Sequence, residues 1–221
     1  MRPGEEWGRP ATDDDRGRAV VVGGGDAALA AAVAADPGGL WRPDPAGDLA
    51  RALGIRADTP GARVVPCDAV VVADGPPAVN AVVLGTAPDR LHRLHRRRPV
   101  EVTVDDRRLT GPDGGTLAAT TVVVASGQYL RGLDLVPRGH PGDGRLEVLV
   151  LGLAPGERGP MRRRLPTGQH LPHPRIVTAT GRRVRVAWAD EPRPVEVDGA
   201  ERAPQAVVDL AVSPGVVELL V

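Results

Sequence analysis

From residue 64 to the C-terminus the chain is a succession of short β-branched runs, each closed by a turn of Gly, Pro or Asp, and few folds accept that pattern. The runs fall at residues 69–72, 79–83, 100–104, 121–124, 146–150, 184–188, 194–197, 206–212 and 216–221. Several alternate apolar and polar residues with period two, which gives each strand one buried and one wet face. Many short strands separated by turn residues predict an antiparallel sandwich or barrel. Only residues 89–98 read as helical in this half.

The first third is built differently. Residues 18–22, Arg-Ala-Val-Val-Val, lack alternation and predict a buried parallel strand. The strand ends in Gly23-Gly24-Gly25-Asp26, and the alanine-rich stretch 27–35 is a helix by propensity alone. Strand, glycine turn and helix make half of a βαβ unit. A Pro-rich connector at 41–45 leads to a second short helix over 48–55, with Asp48 at its start and Gly54 at its C-cap. Residues 1–17 combine Pro, Gly and three consecutive Asp with little to bury, and predict a disordered tail. The expected fold class is therefore α+β and β-rich. The tail (1–17) precedes a reduced three-layer α/β lobe (18–65), and an antiparallel β-sandwich follows (66–221).

Composition removes several functions. Basic and acidic residues balance at 28 each, so no overall field draws nucleic acid, and 2% aromatic residues leave few platforms for base stacking. Every basic residue is Arg. Guanidinium forks suit phosphate, but the compositional bias that raises Ala, Gly, Pro and Val accounts for them without a ligand. The single cysteine, Cys67, permits no disulfide within the chain, suits a cytoplasmic setting and reads as a small buried hydrophobe. The N-terminus has no apolar signal core, and the run 19–35 is too broken by glycines and Asp26 to span a bilayer. His170 and His173 are spaced H-x-x-H without a third ligand and read as structural. Ser126 has no partner histidine or nucleophile elbow, and the basic run 91–98 reads as the solvated end of a helix.

Gly23, Gly24, Gly25 and Asp26 stand where a nucleotide phosphate could be held, because glycine lets the backbone approach it and the following helix offers free N–H groups. A dinucleotide-binding reading lacks a second βαβ unit and a ribose-binding acid. The pieces DLARALG, ASGQY, HPGDGRLEV, QHLPHP and VDGAE, in this order, resemble the bacterial diacylglycerol kinase and sphingosine kinase family of lipid kinases.

That resemblance implies an ATP-phosphate loop of GGDGT type at Gly23–Asp26, with Ala27 and Ala28 in place of the glycine and threonine that follow. It implies a second loop, PxGTGNDFARALG, over residues 42–54, where Asp44-Pro45-Ala46-Gly47 replaces the phosphate-holding GTGN. Proline offers no N–H there, and Asp44 would repel phosphate unless a metal lay between. The family's leading strand and NPxSG loop have no counterpart before Arg18; an upstream start that restored them would revive the kinase reading. A structural Mg²⁺ would be held by the side chain of Asp143 and the carbonyls of His140 and Arg145, although an ordinary Asp-Gly turn needs no ion. Asp198 would be the general base on the lipid hydroxyl, with Ala200 displacing the acidic residue one place onward. The expected function is ATP- and Mg²⁺-dependent phosphoryl transfer to a lipid hydroxyl, weak or lost. The alternative is a non-catalytic homologue binding a lipid, a nucleotide or a protein. A membrane-derived lipid such as diacylglycerol is the expected partner, met peripherally at the membrane, and an open sheet edge allows a homodimer.

Overall fold

The computed structural model of the chain describes residues 7–58, 61–73, 75–91 and 95–221. The amino-terminal part holds α1 (Asp13–Arg18), β1 (Val20–Val22), α2 (Gly25–Ala35), β2 (Leu40–Pro43) and α3 (Asp48–Ala52). The strands β3 (Arg63–Val72), β4 (Ala81–Gly85), β5 (Arg98–Val104), β6 (Thr121–Ala125) and β7 (Leu146–Leu151) follow. After α4 (Arg158–Arg164) come β8 (Ile176–Gly181), β9 (Arg183–Trp188), β10 (Arg193–Val197), β11 (Ala200–Gln205) and β12 (Val207–Leu220). Among the described residues no helix is long and apolar enough to cross a membrane.

The described strands form a nine-stranded sheet, a six-stranded sheet and a two-stranded hairpin of Tyr129–Leu130 with Leu133–Asp134. The six-stranded sheet is antiparallel throughout, in the order β8-β7-β6-β4-β10-β11. The larger sheet runs β3-β12-β9-β5 through its centre, and β2 then β1 are added in parallel beside the end of β12. The fold is α+β and β-rich, as the strand pattern predicts.

Valines make the main core. Val82, Leu84, Val122, Val124, Val148 and Val150 of the smaller sheet face Val70, Val102, Val184, Val186 and Leu210 of the larger. The other face of the smaller sheet is covered too, by Leu135, Leu153, Met161 and Leu165. This second cover explains why β6 is apolar without alternation: all five of its residues are buried. By contrast β5, wet on one face, alternates exposed Glu101 with buried Val100 and Val102.

Several local expectations need correction. Of the segment expected as a disordered tail, residues 1–6 lie outside the described residues, and 7–17 are ordered. Trp7 donates its indole N–H to the Pro66 carbonyl (3.0 Å), and Arg9–Pro10 pairs antiparallel with β3. Thr12 caps α1 reciprocally with Asp15, whose carboxylate also takes the guanidinium of Arg9 at 2.5 and 2.8 Å. The acidic triplet was a helix start, with its charges on the positive end of the helix dipole. The parallel pairing of β1 is observed, yet Val20 and Val21 are 51% and 71% exposed because β1 is an edge strand. The helix expected over 89–98 is reduced to one 3₁₀ turn at Pro88–Arg90; residues 92–94 lie outside the described residues, and Arg98 already starts β5. Helix α4 was not expected, since Arg-Gly-Pro-Met-Arg-Arg-Arg offers only Met161 to a core. The two runs 206–212 and 216–221 belong to one strand, β12, bulged between Ser213 and Val217. The boundary drawn at 65/66 falls inside β3, which pairs with β12 from Leu210↔Val72 to Leu220↔Val64. The small lobe therefore enters the sandwich along two shared strands and not through a linker.

Candidate functional site

Asp198 occupies the tight turn between β10 and β11. Both Asp198 (φ 49°) and Gly199 (φ 88°) are left-handed, the backbone that a two-residue hairpin turn requires and that Asp-Gly favours. This turn aims the carboxylate inward, where it accepts N–H bonds from Val79 (2.7 Å), Asn80 (3.0 Å) and Ala81 (2.8 Å). Burial lifts its pKa to about 7 against the pull of those bonds, and the nearby charge of Asp26 adds to the rise.

Asp26 sits in the first turn of α2. Its carboxylate accepts the Leu49 N–H at 3.1 and 3.2 Å, at the start of α3, and the Asn80 side-chain amide at 2.7 Å. Burial lifts it to about 6, helped by the charges of Asp48 and Asp44. The same Asn80 amide donates to the Tyr129 carbonyl (2.9 Å), and the Asn80 carbonyl accepts the Ser126 N–H (2.9 Å). Asn80 is thus the fully buried hub that joins the glycine loop of the small lobe to Asp198 of the sandwich. The approach is close enough that a β-carbon on Gly47 would lie 2.7 Å from the Asp26 carboxylate.

The amide groups of the glycine loop already have an anion. Gly24, in the left-handed region (φ 95°), donates its N–H to one Asp44 oxygen at 2.9 Å, and the other oxygen takes the Ala46 N–H at 2.9 Å. The N–H groups of Ala46, Gly24 and Gly25 hold the Asp44 carboxyl below its ordinary value. A side chain of the protein thus engages an N–H group of the loop that the resemblance assigns to a phosphate. Nearby, the Asp48 carboxylate accepts the N–H groups of Arg131 and Gly132 (2.8 Å to the latter). The Arg131 fork closes on Glu196, with Nε 3.0 Å from Oε1, and lies 3.6 Å from Asp89. Arg51 lies over the Tyr129 ring at 4.4 Å.

The residues expected around Mg²⁺ form a separate turn. Asp143 accepts the Arg145 N–H (3.0 Å), the His140 carbonyl takes the Asp143 N–H (3.4 Å), and the His140 ring accepts the Gly142 N–H (3.1 Å). Asp68, not anticipated, secures this turn by accepting the N–H groups of Gly144 (2.6 Å) and, from the β12 bulge, Gly215 (2.9 Å). These bonds shape the turn; among the described residues no group of three His, Cys, Asp or Glu lies together to hold a metal ion, and the expected set, one carboxylate and two carbonyls, is not of that kind. His170 is buried with Nε2 3.0 Å from the Leu135 carbonyl, and His173 accepts the Arg175 N–H (3.1 Å). Cys67 is buried, which pushes its thiol far up. Glu201, the displaced acid of VDGAE, is exposed 3.5 Å from Arg90.

Comparison with known proteins adds the lineage. Residues 86–221 match the family described as the YegS C-terminal NAD kinase beta sandwich-like domain. The chain belongs to that family. The diacylglycerol-kinase-like relationship implied by the order of its motifs thus stands. A diacylglycerol kinase from Bacillus anthracis str. Sterne shares the fold, with a TM-score of 0.70 at 17% identity over 92% of this chain and 76% of that one. Two provisionally named diacylglycerol kinases of the same strain give 0.72 and 0.71 at 15% identity, over 92% of this chain and 76% and 78% of theirs. At these identities the likeness is one of fold. No curated protein matches the chain.

The YegS-type match contains Asp198 and Asp143 but begins downstream of the glycine loop, Asp44 and Asn80. Asn80 and Asp68 escaped sequence reasoning, although each was visible as a lone polar residue inside an apolar run, Ala-Val-Asn-Ala-Val and Pro-Cys-Asp-Ala-Val. Such a residue, once buried, must find partners. Their identity needs the fold.

Proposed function

We propose that this YegS-type protein is a lipid-kinase relative whose phosphoryl transfer is weak or lost, and that it serves as a lipid- or protein-binding module. The observation that carries this reading is the Asp44 carboxylate on the Gly24 N–H, at 2.9 Å. A nucleotide phosphate entering there would meet a like charge, a repulsion of about 4 kcal/mol at 4 Å and an effective dielectric constant of 20. As folded, the loop does not fit an ATP phosphate, and Ala27 and Ala28 add no hydroxyl to help hold one. Phosphoryl transfer rests almost wholly on positioning and charge stabilisation, and loss of one such donor costs roughly 10²–10³ in rate.

Asp198 points the same way. A pKa of about 7 would suit a general base, but a base must also reach the hydroxyl proton. Three main-chain N–H groups engage its oxygens, and the residue is only 7% exposed. In this arrangement it ties β10 and β11 to the Asn80 loop. The fuller reading, transfer of the γ-phosphoryl of ATP to a diacylglycerol-like hydroxyl, would need the Asp44 loop to open.

Calorimetry with ATP and Mg²⁺ tests the proposal. The wild type is expected to give no heat at millimolar ATP, whereas Asp44→Gly, which frees the loop amides, gains binding. Micromolar binding by the wild type, weakened by Asp26→Ala, would restore the kinase reading.

A further inference from the structure

Asp198 follows the last residue of β10, and Arg193, the first, stands at the opposite end of that strand. At about 3.3 Å per residue the two ends lie roughly 16 Å apart. At the Arg193 end opens a cleft of about 360 Å³, a size suited to a small ligand. Gly85 and Pro194 of the smaller sheet and Arg98 and Trp188 of the larger take part in its lining.

Two donors of this lining have nothing to give to. Trp188 is 6% exposed, and its indole nitrogen is buried without an acceptor among the described residues. The Nε of Arg193 is buried in the same condition. Trp7 shows the ordinary outcome, with its indole N–H on the Pro66 carbonyl at 3.0 Å. A buried indole N–H finds such a partner as a rule. The guanidinium carbon of Arg193 lies 5.9 Å from the centre of the Trp188 ring, so both donors belong to one corner of the cleft.

That corner lacks an acceptor, not a counter-charge. Arg193 meets Asp190 (3.5 Å) and Glu191 (3.2 Å) through Nη2. Arg98 meets the same two carboxylates at 3.0 and 3.6 Å. Two guanidinium groups and two carboxylates cancel, so neither arginine keeps a charge for an anion. The nearby threonines are already engaged. The Thr120 hydroxyl donates to the Leu151 carbonyl (3.2 Å), the Thr120 carbonyl accepts the Thr86 N–H (3.0 Å), and the Thr86 carbonyl accepts the Thr121 hydroxyl. A fitting guest must therefore bring the acceptor itself. A carbonyl oxygen has two lone pairs and no proton to place. The Trp188 ring and Ala119 of the lining give apolar surface for the carbon frame around it.

We infer that this cleft is a ligand site for a small uncharged carbonyl compound, whose oxygen takes the indole N–H of Trp188 and the Nε–H of Arg193. The carbonyl belongs to a ketone, an ester or an amide. The site lies away from the glycine loop and does not depend on whether phosphoryl transfer survives.

The three tryptophans give the full chain its own reporters, one indole N–H signal each in a ¹⁵N spectrum, with that of Trp188 assigned through Trp188→Phe. Cyclohexanone, δ-valerolactone and δ-valerolactam present the three kinds of carbonyl on one ring size, and methylenecyclohexane has the same ring with no acceptor. A saturable downfield shift of the Trp188 signal is expected with the carbonyl compounds, without a shift at Trp7 or Trp41. Methylenecyclohexane is expected to bind about tenfold more weakly or less. The order of affinity among the three carbonyl compounds identifies the class. Arg193→Met, which keeps the stem and removes Nε–H, should weaken carbonyl binding about tenfold with the Trp188 reporter intact. Arg185→Gln, an exposed arginine paired with Asp209 on the larger sheet, should leave it unchanged. Equal binding of methylenecyclohexane, equal shifts at all three tryptophans, an equal loss with Arg185→Gln, or no saturable shift with any probe would overturn the inference.

Discussion

Asp198 and Asp26 are carboxylates whose burial raises them to about 7 and about 6, above a value near 3.8 in the unfolded chain. Between about pH 4 and pH 7 the native state therefore holds protons that the unfolded state has released. By linkage, their contribution to stability is fully present below pH 4 and lost as pH rises through 6 and 7. Asp44, Asp105 and Asp190 have the opposite sign: their N–H and arginine partners hold them low, so their contribution is lost on acidification. The urea midpoint is accordingly expected to rise from about pH 8 to about pH 5 and to fall again below about pH 4. Asp198→Asn should flatten the upper limb. It should also cost roughly 1–3 kcal/mol at about pH 5, because its amide oxygen can still take the Asn80 and Ala81 N–H groups but its NH2 would face the Val79 N–H. A profile of the same slope in wild type and variant would show that Asp198 does not titrate in this range.

Among the elements, β12 best shows how pattern and fold share the work. Its Ser-Pro-Gly segment reads locally as a break, since proline cannot donate to a ladder and glycine invites a turn. In the fold both residues sit in a bulge, and the strand continues because β3 runs beside it on both sides of the irregularity. Gly215 is left-handed there (φ 65°), its N–H is held by Asp68, and a β-carbon would meet Pro66 only at 3.6 Å, an ordinary contact. Gly215→Ala should thus cost backbone strain alone, about 1–2 kcal/mol, measurable as a shift in denaturation midpoint. A neutral substitution would mean that the bulge relaxes freely. Helix α2 was legible because alanine propensity needs no context, whereas α4 was not, because its place comes from Met161 packing on the outer face of the smaller sheet and from the burial of Arg158.

At the scale of the whole molecule, β3 and β12 bind the two lobes into one unit. Trp41 lies in the core of the small lobe and Trp188 between the sheets, both 6% exposed. Because the same two strands serve both cores, unfolding should be a single transition. Denaturation followed with Trp188 alone (Trp7→Phe with Trp41→Phe) should coincide with that followed with Trp41 alone (Trp7→Phe with Trp188→Phe), after allowance for each variant's stability. Separated transitions would restore a boundary near residue 65. A fragment starting there would begin inside β3 and lose the Val64 and Val65 pairings with β12.

The sequence by itself determined the strands, the turns and the lineage. Period-two alternation, valine runs, Asp-Gly turns and the order of the motif fragments are local properties, and they survive without knowledge of what packs on what. Only the tertiary structure decided what the glycine loop holds. Residues 24 and 44 are joined by a hydrogen bond, and residues 26, 80 and 198 meet in one buried cluster. Such encounters depend on how strands far apart in the chain are brought into register. A carboxylate has the same letter whether it faces solvent, binds a ligand or fills the place of one. Its neighbours and its burial make the difference, and the fold supplies both.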